Sequence, residues 1–456
     1  MSRWSFFHSA LALAAGLILL GLGGCAHYQA KPLPDQPDLA ESLPTVNWAR
    51  VAAPVPGLGK TQFNPADGLD RDETVILAIT HNPDLAVARA RLGLAQAQLF
   101  AAGLLPDPQL DVGLEQATGS SANAVLGYSL GLSENLRALI LHQSAQKAAG
   151  NHQQQVNLEL LWQEWQVAQR SRELFINIRS GEQRASRLRE LKQLNQRRYQ
   201  ADQRGLARGM VIQAIVTADR NQLADSNDRL AELQMQQAKR RAELNQLLGL
   251  APTVEIRLVG DDPVALPGKQ MMSRAVAEIG QRRPDLVALR YGYENQEQQV
   301  SQAILAQFPA ISIGLDAVRD TGNTRTLGLN VSLKLPLFDG QRGPIAIQRA
   351  KRTVLRSDYQ QRLDQATSDS WQIESVALQQ QSRLEALRRQ AQSMETEVDA
   401  AQMAVEHGML DQRSADDLKS QWIEWQLRII RAKSDLAQSG TMLATVLGMP
   451  LQSLAR

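Results

Sequence analysis

The chain is written twice, and nothing else in it constrains the fold as much. Asn82-Pro83-Asp84-Leu85 returns as Arg283-Pro284-Asp285-Leu286. Pro108-x-Leu110-x-Val112-Gly113-Leu114 returns as Pro309-x-Ile311-x-Ile313-Gly314-Leu315, and Leu126-Gly127 as Leu327-Gly328, each pair 201 residues apart. Leu248-Gly249-Leu250-x-Pro252 is answered by Leu447-Gly448-Met449-Pro450 at 198 to 199. The same landmarks in the same order at nearly constant spacing predict two structurally equivalent halves.

Within each half the hydrophobic period changes twice. From about Asp72 to Leu105 the chain is rich in Ala and Leu with one break at Pro83, a helical pattern. Then Leu110, Val112 and Leu114 alternate with Asp111, Gly113 and Glu115, and after a turn at Thr118 to Asn123 Leu126, Tyr128, Leu130 and Leu132 alternate with Gly127, Ser129, Gly131 and Ser133. Period two predicts a β-hairpin with one apolar and one small or polar face. In the second half Ile311, Ile313 and Leu315, a turn at Asp320 to Asn323, and Leu327 to Leu335 repeat the pattern. Strands of about nine or ten residues suit a tilted membrane crossing.

Between Asn135 and Pro252, and again between Pro344 and Pro450, there is no proline. Such runs predict very long helices, each turned back once, at Gly205 and Gly209 in the first and at Gly408 in the second. Helix 137–204 would extend roughly 100 Å. Its return, 210–248, falls short, and helix 72–105 placed end to end with it makes up the difference. The second half repeats this with 343–407 against 409–448 and 271–305. Leu160, Val167, Leu174 and Leu188 in the first run, and Leu418, Trp422, Trp425, Ile429, Ala432, Leu436, Leu443 and Val446 in the second, form a coiled-coil seam. Trp422 and Trp425 belong to that seam as packing residues, and the arginine-rich stretch 179–198 reads as a solvated helix face.

The N-terminus is a targeting segment: Arg3, then an uncharged apolar run from Ala10 to Gly23 and Leu22-Gly23-Gly24-Cys25. Small residues before a cysteine resemble a lipobox, with Cys25, the single cysteine, as the lipidated residue and Ala26 favouring sorting to the outer membrane. Residues 31–65 hold seven of the eighteen prolines, an extended wrapping or tethering segment. The expected organisation is a signal peptide at 1–24 and a lipidated proline-rich segment at 25–70. A first repeat at 71–250 carries a β-hairpin at 108–133 and a helical hairpin at 137–248. A linker at 251–270 leads to a second repeat at 271–449, with a β-hairpin at 309–335 and a helical hairpin at 343–448, and a tail at 450–456.

Aromatics at 4% fit long exposed helices rather than a compact enzyme, and a net charge of +2 gives no electrostatic case for nucleic acid. No phosphate loop, dinucleotide fingerprint, nucleophile elbow or zinc-protease helix occurs, and the six histidines lack metal-ligand spacing. Neither an enzyme nor a bound metal or cofactor is expected, beyond the covalent lipid on Cys25. An open four-stranded apolar sheet cannot persist in a membrane, because its edge amides must be paired. Four strands per chain therefore imply oligomerisation: two copies give eight strands and three give twelve, the larger ring leaving an open bore.

On the repeated Asn82-Pro83-Asp84-Leu85 and Arg283-Pro284-Asp285-Leu286 helix starts, Gly103-Leu104-Leu105-Pro106-Asp107-Pro108 before the first strand and Leu335-Pro336-Leu337-Phe338-Asp339-Gly340 after the last, the mature chain resembles the TolC-type outer-membrane efflux proteins. The resemblance implies an α+β membrane protein, a homotrimer with a shared twelve-stranded barrel in outer-membrane lipid and an α-helical periplasmic tunnel. It also implies a periplasmic adaptor and an inner-membrane pump of the RND type as partners. The two proline-rich stretches are similar to the branch associated with heavy-metal cation efflux, and related stretches occur in drug-efflux members.

Two sets of residues stand out as sites. Gly205, Leu206, Gly209, Met210, Gly408, Met409 and Leu410 set glycines beside apolar residues on two equivalent turns, either plain helix caps or tips that receive an adaptor. Asp411, Asp416 and Asp417 beyond the second turn would form charged rings at a periplasmic mouth in a trimer; the alternative is favourable placement of acids in a first helical turn. The leading expectation is a passive conduit for small toxic solutes gated at the tips. A lipid-anchored periplasmic coiled-coil scaffold without a pore, an envelope enzyme such as a wall hydrolase, and a type I protein-secretion channel stand as alternatives.

Overall fold

A computed structural model describes residues 28–44, 63–64, 66–118, 124–260, 266–338 and 340–450. The signal segment, Cys25 and the residues after Pro450 lie outside the described residues. The chain divides into two units, 1–39 and 40–456. Of the first, residues 28–39 are exposed and carry neither helix nor strand. All the described helices and strands belong to the second.

These elements run in two similar series. The first is α1 (Arg71–His81), α2 (Pro83–Gly103), β1 (Gln109–Glu115), β2 (Gly127–Asn135), α3 (Leu136–Ala207) and α4 (Gln213–Leu247). The second is α5 (Lys269–Ala277), α6 (Ile279–Arg282), α7 (Pro284–Leu305), β3 (Ala310–Arg319), β4 (Arg325–Lys334), α8 (Arg342–Glu406) and α9 (Gln412–Val446). The helix expected over 271–305 is thus three pieces. Pro284, which sits at the start of α7, lacks the backbone N–H an unbroken helix needs.

Local chemistry sets the helix starts. Asp70 caps α1 in a reciprocal box with Glu73, accepting from the Glu73 amide at 2.7 Å while the Glu73 carboxylate accepts from the Asp70 amide at 2.9 Å. Asn82 caps α2 by accepting from the Leu85 amide at 3.1 Å, and its side-chain amide donates to the Leu247 carbonyl at the end of α4 at 3.0 Å. One residue therefore ends one short helix, starts the next and pins both to the return arm of the long hairpin. This is the end-to-end arrangement inferred from helix lengths. The α1–α2 junction abuts the end of α4, and α3 runs past both.

The core obeys the same plan. Leu77 and Ala78 of α1, Leu174, Phe175 and Ile178 of α3, and Leu244 and Leu248 at the end of α4 are buried in one cluster. The inter-repeat segment closes it with Leu250, Ile256 and Leu258. The proline-rich segment joins here too: Ala40 forms a parallel bridge with Leu250, and Leu43 and Phe63 pack on the cluster. Beyond it, Leu188, Leu191, Leu230 and Leu233 of the first helical hairpin pack on Ile423 and Leu427 of α9. The expected second seam holds at Ala432, Leu436 and Leu443, which are buried, and shifts by about one position only in the first half of α9. Ile423 and Leu427 are buried, whereas Trp422 is partly buried and Trp425 carries Arg428 over its ring at 4.9 Å. Helix α9 meets two partners, α8 on one side and α3 on another, so its apolar stripe is wider than a two-helix seam.

The four strands form one antiparallel sheet in the order β1-β2-β3-β4. The register sets Leu110 opposite Leu132, Leu132 opposite Leu315, and Leu315 opposite Leu329. Directly opposed residues share a face, so the apolar positions of all four strands make one surface. Twelve of them, including Val112, Leu130, Leu327 and Val331, are exposed. Asp111, Gly113, Gly131, Ser133, Gly314, Asp316 and Asn330 hold the other face. Strands β1 and β2 are shorter than the second pair, at 7 and 9 residues against 10 and 10, and β1 falls below the expected length. The second turn is held by Asp320, whose carboxylate accepts from the Gly322 amide at 2.9 Å and the Thr324 amide at 2.8 Å. Among the described residues no helix is long and apolar enough to cross a membrane.

Candidate functional site: the helical tips

Both long hairpins turn by the same device. At the first turn the Met210 amide donates to the Gly205 carbonyl at 2.8 Å and the Gly209 amide to the Leu206 carbonyl at 3.0 Å, with Gly209 at φ +68°. At the second, the Met409 amide donates to the Ala404 carbonyl at 2.8 Å and the Gly408 amide to the Val405 carbonyl at 3.0 Å, with Gly408 at φ +68°. These are Schellman caps, in which a left-handed glycine lets the last helical carbonyls find donors. Gly209 and Gly408 are the equivalent residues, which fixes the register of the first tip. Gly205, expected to break the helix, is inside α3 instead and supplies the accepting carbonyl. Just past the caps, Met210 and Met409 are exposed, whereas Leu206 and Leu410 are partly buried.

Above the tips the two hairpins are joined by ion pairs that link α3 and α4 to α9. Arg198 of α3 donates to Asp417 of α9 at 2.7 Å and lies 3.6 Å from Asp219 of α4. Arg413 of α9 donates to Asp219 at 2.9 Å and also to Asp202 of α3. Arg229 of α4 holds both oxygens of Glu424 at 2.6 and 3.1 Å, and Lys419 reaches Glu190 at 3.4 Å. Arg187 lies over the Trp422 ring, 5.4 Å from its centroid. The stretch 179–198 does present a solvated face, with Ser186, Arg189, Gln193 and Arg197 exposed, but Arg198 does not belong to it. Arg198 is only 7% exposed, because its charge is matched across the seam.

The acids near the tip have distinct surroundings. Asp219 is buried, which pushes its carboxyl up, and its hydrogen bond with Asp202 adds to the shift. That same hydrogen bond, with help from Arg413, holds Asp202 below the usual range. Asp411 caps α9 by accepting from the Ser414 hydroxyl at 2.7 Å and the Ser414 amide at 2.9 Å, which lowers it. Asp416 accepts from the Gln412 side chain at 2.8 Å. Of the three acids singled out in the sequence, Asp411 thus serves its helix and Asp417 bridges the hairpins. Arg413, Asp202 and Asp219 carry the junction and escaped the sequence reading, because they meet across 194 and 211 residues. Their one local signal was an arginine set among Asp411, Asp416 and Asp417. Among the described residues no group of three or more His, Cys, Asp or Glu side chains could hold a metal ion.

A four-stranded sheet with one apolar face and two tip-capped helical hairpins define the class, and comparison with known proteins agrees. Residues 275–449 match the model of the family described as outer membrane efflux protein. The multidrug resistance outer membrane protein MdtP of Shigella flexneri is 28% identical over 211 residues, 43% of this chain and 42% of its own length. Protein CyaE of Bordetella pertussis is 29% identical over 170 residues, 35% and 34% of the two. The chain thus spans well under half the length of these curated relatives. The fold likeness reaches much further. The outer-membrane channel OprN superposes with a TM-score of 0.69 at 18% identity, over 94% of this chain and 100% of its own. The Campylobacter jejuni CmeC outer membrane channel does so at 0.68 and 15%, over 93% of each chain. CusC does so at 0.68 and 15%, over 86% of this chain and 96% of its own. The resemblance to TolC-type outer-membrane efflux proteins read from the sequence holds, and so does the outer-membrane location.

Proposed function

We propose that the chain is the outer-membrane channel of a tripartite efflux system, a passive conduit through which small toxic solutes leave the periplasm. The observation that carries this reading is the continuous apolar face of a sheet whose outer strands, β1 and β4, have no partner among the described residues on one side. Moving each exposed Leu, Ile or Val of that face out of water is worth about 1.5–3 kcal/mol, so the face as a whole outweighs a domain's usual stability of about 5–15 kcal/mol. Lipid accepts such a face only if β4 of one copy pairs with β1 of the next until the ring closes. Three copies give twelve strands, with the small and polar face turned to a lumen. The lipid on Cys25 adds a second hold on the membrane.

Gating belongs to the tips in this reading. The pairs Arg198–Asp417 and Arg413–Asp202/Asp219 hold the first hairpin against α9 and keep the periplasmic mouth narrow, with Asp411, Asp416 and Asp417 repeated around it in each copy. An adaptor that seats on Gly209, Met210, Gly408, Met409 and Leu410 draws the hairpins apart, and an inner-membrane pump of the RND type supplies the energy. The printed name of MdtP favours drugs as cargo, and the heavy-metal cation branch is the other substrate class to test. Growth of a deletion strain on graded lipophilic drugs and dyes, and on zinc, copper and cobalt, tests the reading. Hypersensitivity to one class, restored by the intact gene, is expected. Unchanged tolerance of every compound, in a strain lacking redundant channels, would contradict it.

A further inference from the structure

Between the tip junction and the main core, α3, α4 and α9 enclose a groove of about 610 Å³. Five arginines line it: Arg184, Arg229, Arg240, Arg428 and Arg431. Two are committed, Arg229 to Glu424 and Arg428 to the face of Trp425. Arg184, Arg240 and Arg431 have no ion pair among the described residues. The remaining acids of the groove are Glu232, which accepts from Gln236, and Asp435. Five guanidinium groups against three carboxylates leave the lining two charges in excess, in a chain whose total is +2.

Arg184 makes the imbalance acute. It is half-buried, and its pKa is lowered by that burial and then by repulsion from Arg431, Arg240 and Arg229, with Asp435 alone working the other way. A guanidinium does not shed its proton in a protein, and its five N–H groups need acceptors. Lower down the same seam Arg198 and Arg413 each pair with carboxylates, whereas among the described residues Arg184 has Asp435 near it but forms no ion pair. The planar donor fork fits tetrahedral oxyanions, whose oxygens accept two N–H groups at once.

We propose that this groove is a binding site for a small divalent oxyanion of the phosphate or sulfate type, held by Arg184, Arg240 and Arg431. The site lies in the wall of the helical part and is independent of what the channel carries. Thermal melting of the purified full-length protein in detergent tests it, with inorganic phosphate, sulfate and chloride compared at matched ionic strength. Phosphate or sulfate is expected to raise Tm with a saturable dose dependence. Arg184→Gln and Arg431→Gln should each weaken the apparent Kd by roughly tenfold or more. In chloride alone Arg184→Gln should melt no lower than the unaltered protein, because it relieves repulsion; a purely structural arginine would give a loss. Equal shifts with chloride, no shift at all, a shift indifferent to both substitutions, or a marked fall in Tm for Arg184→Gln in chloride would each overturn the proposal.

Discussion

At the scale of single residues, glycine shows how the repeat is enforced. Four helices end on a left-handed glycine, Gly209 and Gly408 at the tips and Gly249 and Gly448 at the other ends of the return arms, each 199 residues from its counterpart. The two kinds differ in surroundings. A Cβ on Gly209 would meet nothing within 4 Å, whereas one on Gly249 would stand 2.7 Å from the His81 carbonyl oxygen. Gly209→Ala should therefore cost only the backbone term, about 1–2 kcal/mol. Gly249→Ala should cost about 1–3 kcal/mol more, because the α1–α2 junction must also move. Melting curves of the two variants check the difference. The acids make a second residue-scale prediction. Asp219 holds its proton more tightly folded than unfolded, so its contribution is complete below the unfolded value of about 3.9 and is lost as pH rises through the raised folded value. Asp202 is depressed, so its contribution is present above the unfolded value and lost as pH falls through the folded one. Hydrogen-exchange protection of the tip amides, corrected for intrinsic rate, should fall as pH climbs just above the ordinary aspartate range. Asp219→Asn, permanently neutral, should flatten that step.

At the scale of elements, each apolar alternation becomes a face with a solvent of its own. Leu329 and Asn330 are neighbours on β4 and point to opposite sides of the sheet. Leu329→Arg should destabilise the assembled protein by about 2–4 kcal/mol, the cost of a cation at mid-bilayer, and Asn330→Arg by much less. Refolding into detergent or lipid, followed by gel mobility, distinguishes the two. The junction between hairpins gives another test. Arg413→Gln leaves Asp202 and Asp219 facing each other without their shared partner, a loss of about 1–3 kcal/mol for a pair half open to water. Cells carrying it should leak bulky antibiotics that the unaltered channel excludes, whereas a tight seal would remove the junction from the gate. These examples also show what a sequence can disclose. The hairpins, long helices, helix starts at Pro83 and Pro284 and the turning glycines were legible because each depends on residues within a few positions. Gly205 misled because a glycine one turn before a helix end resembles the glycine that ends it. Arg198 read as solvated because its partners, Asp219 and Asp417, are brought to it only by the packing of α9 on the first hairpin. The wide stripe of α9 hid the buried pair Ile423 and Leu427 for the same reason.

At the scale of the whole molecule, one duplicated plan makes two environments from the same chain. Each repeat sends a hairpin of strands one way and a hairpin of helices the other, and the α1–α2 and α5–α7 segments fill the space beside the long helices where the return arms stop. Among the described residues a single chain leaves both products incomplete: an apolar sheet with unpaired edge strands and helical hairpins that line no closed wall. In the proposed assembly, closure by identical copies completes both at once, and the copy number decides whether a bore remains. Native mass measurement of the full-length protein, extracted from outer membranes in mild detergent, tests this most directly. The predicted result is a species of three chains that resists detergent and gives way to single chains on heating. A monomer, or a dimer whose eight strands leave no open bore, would contradict it.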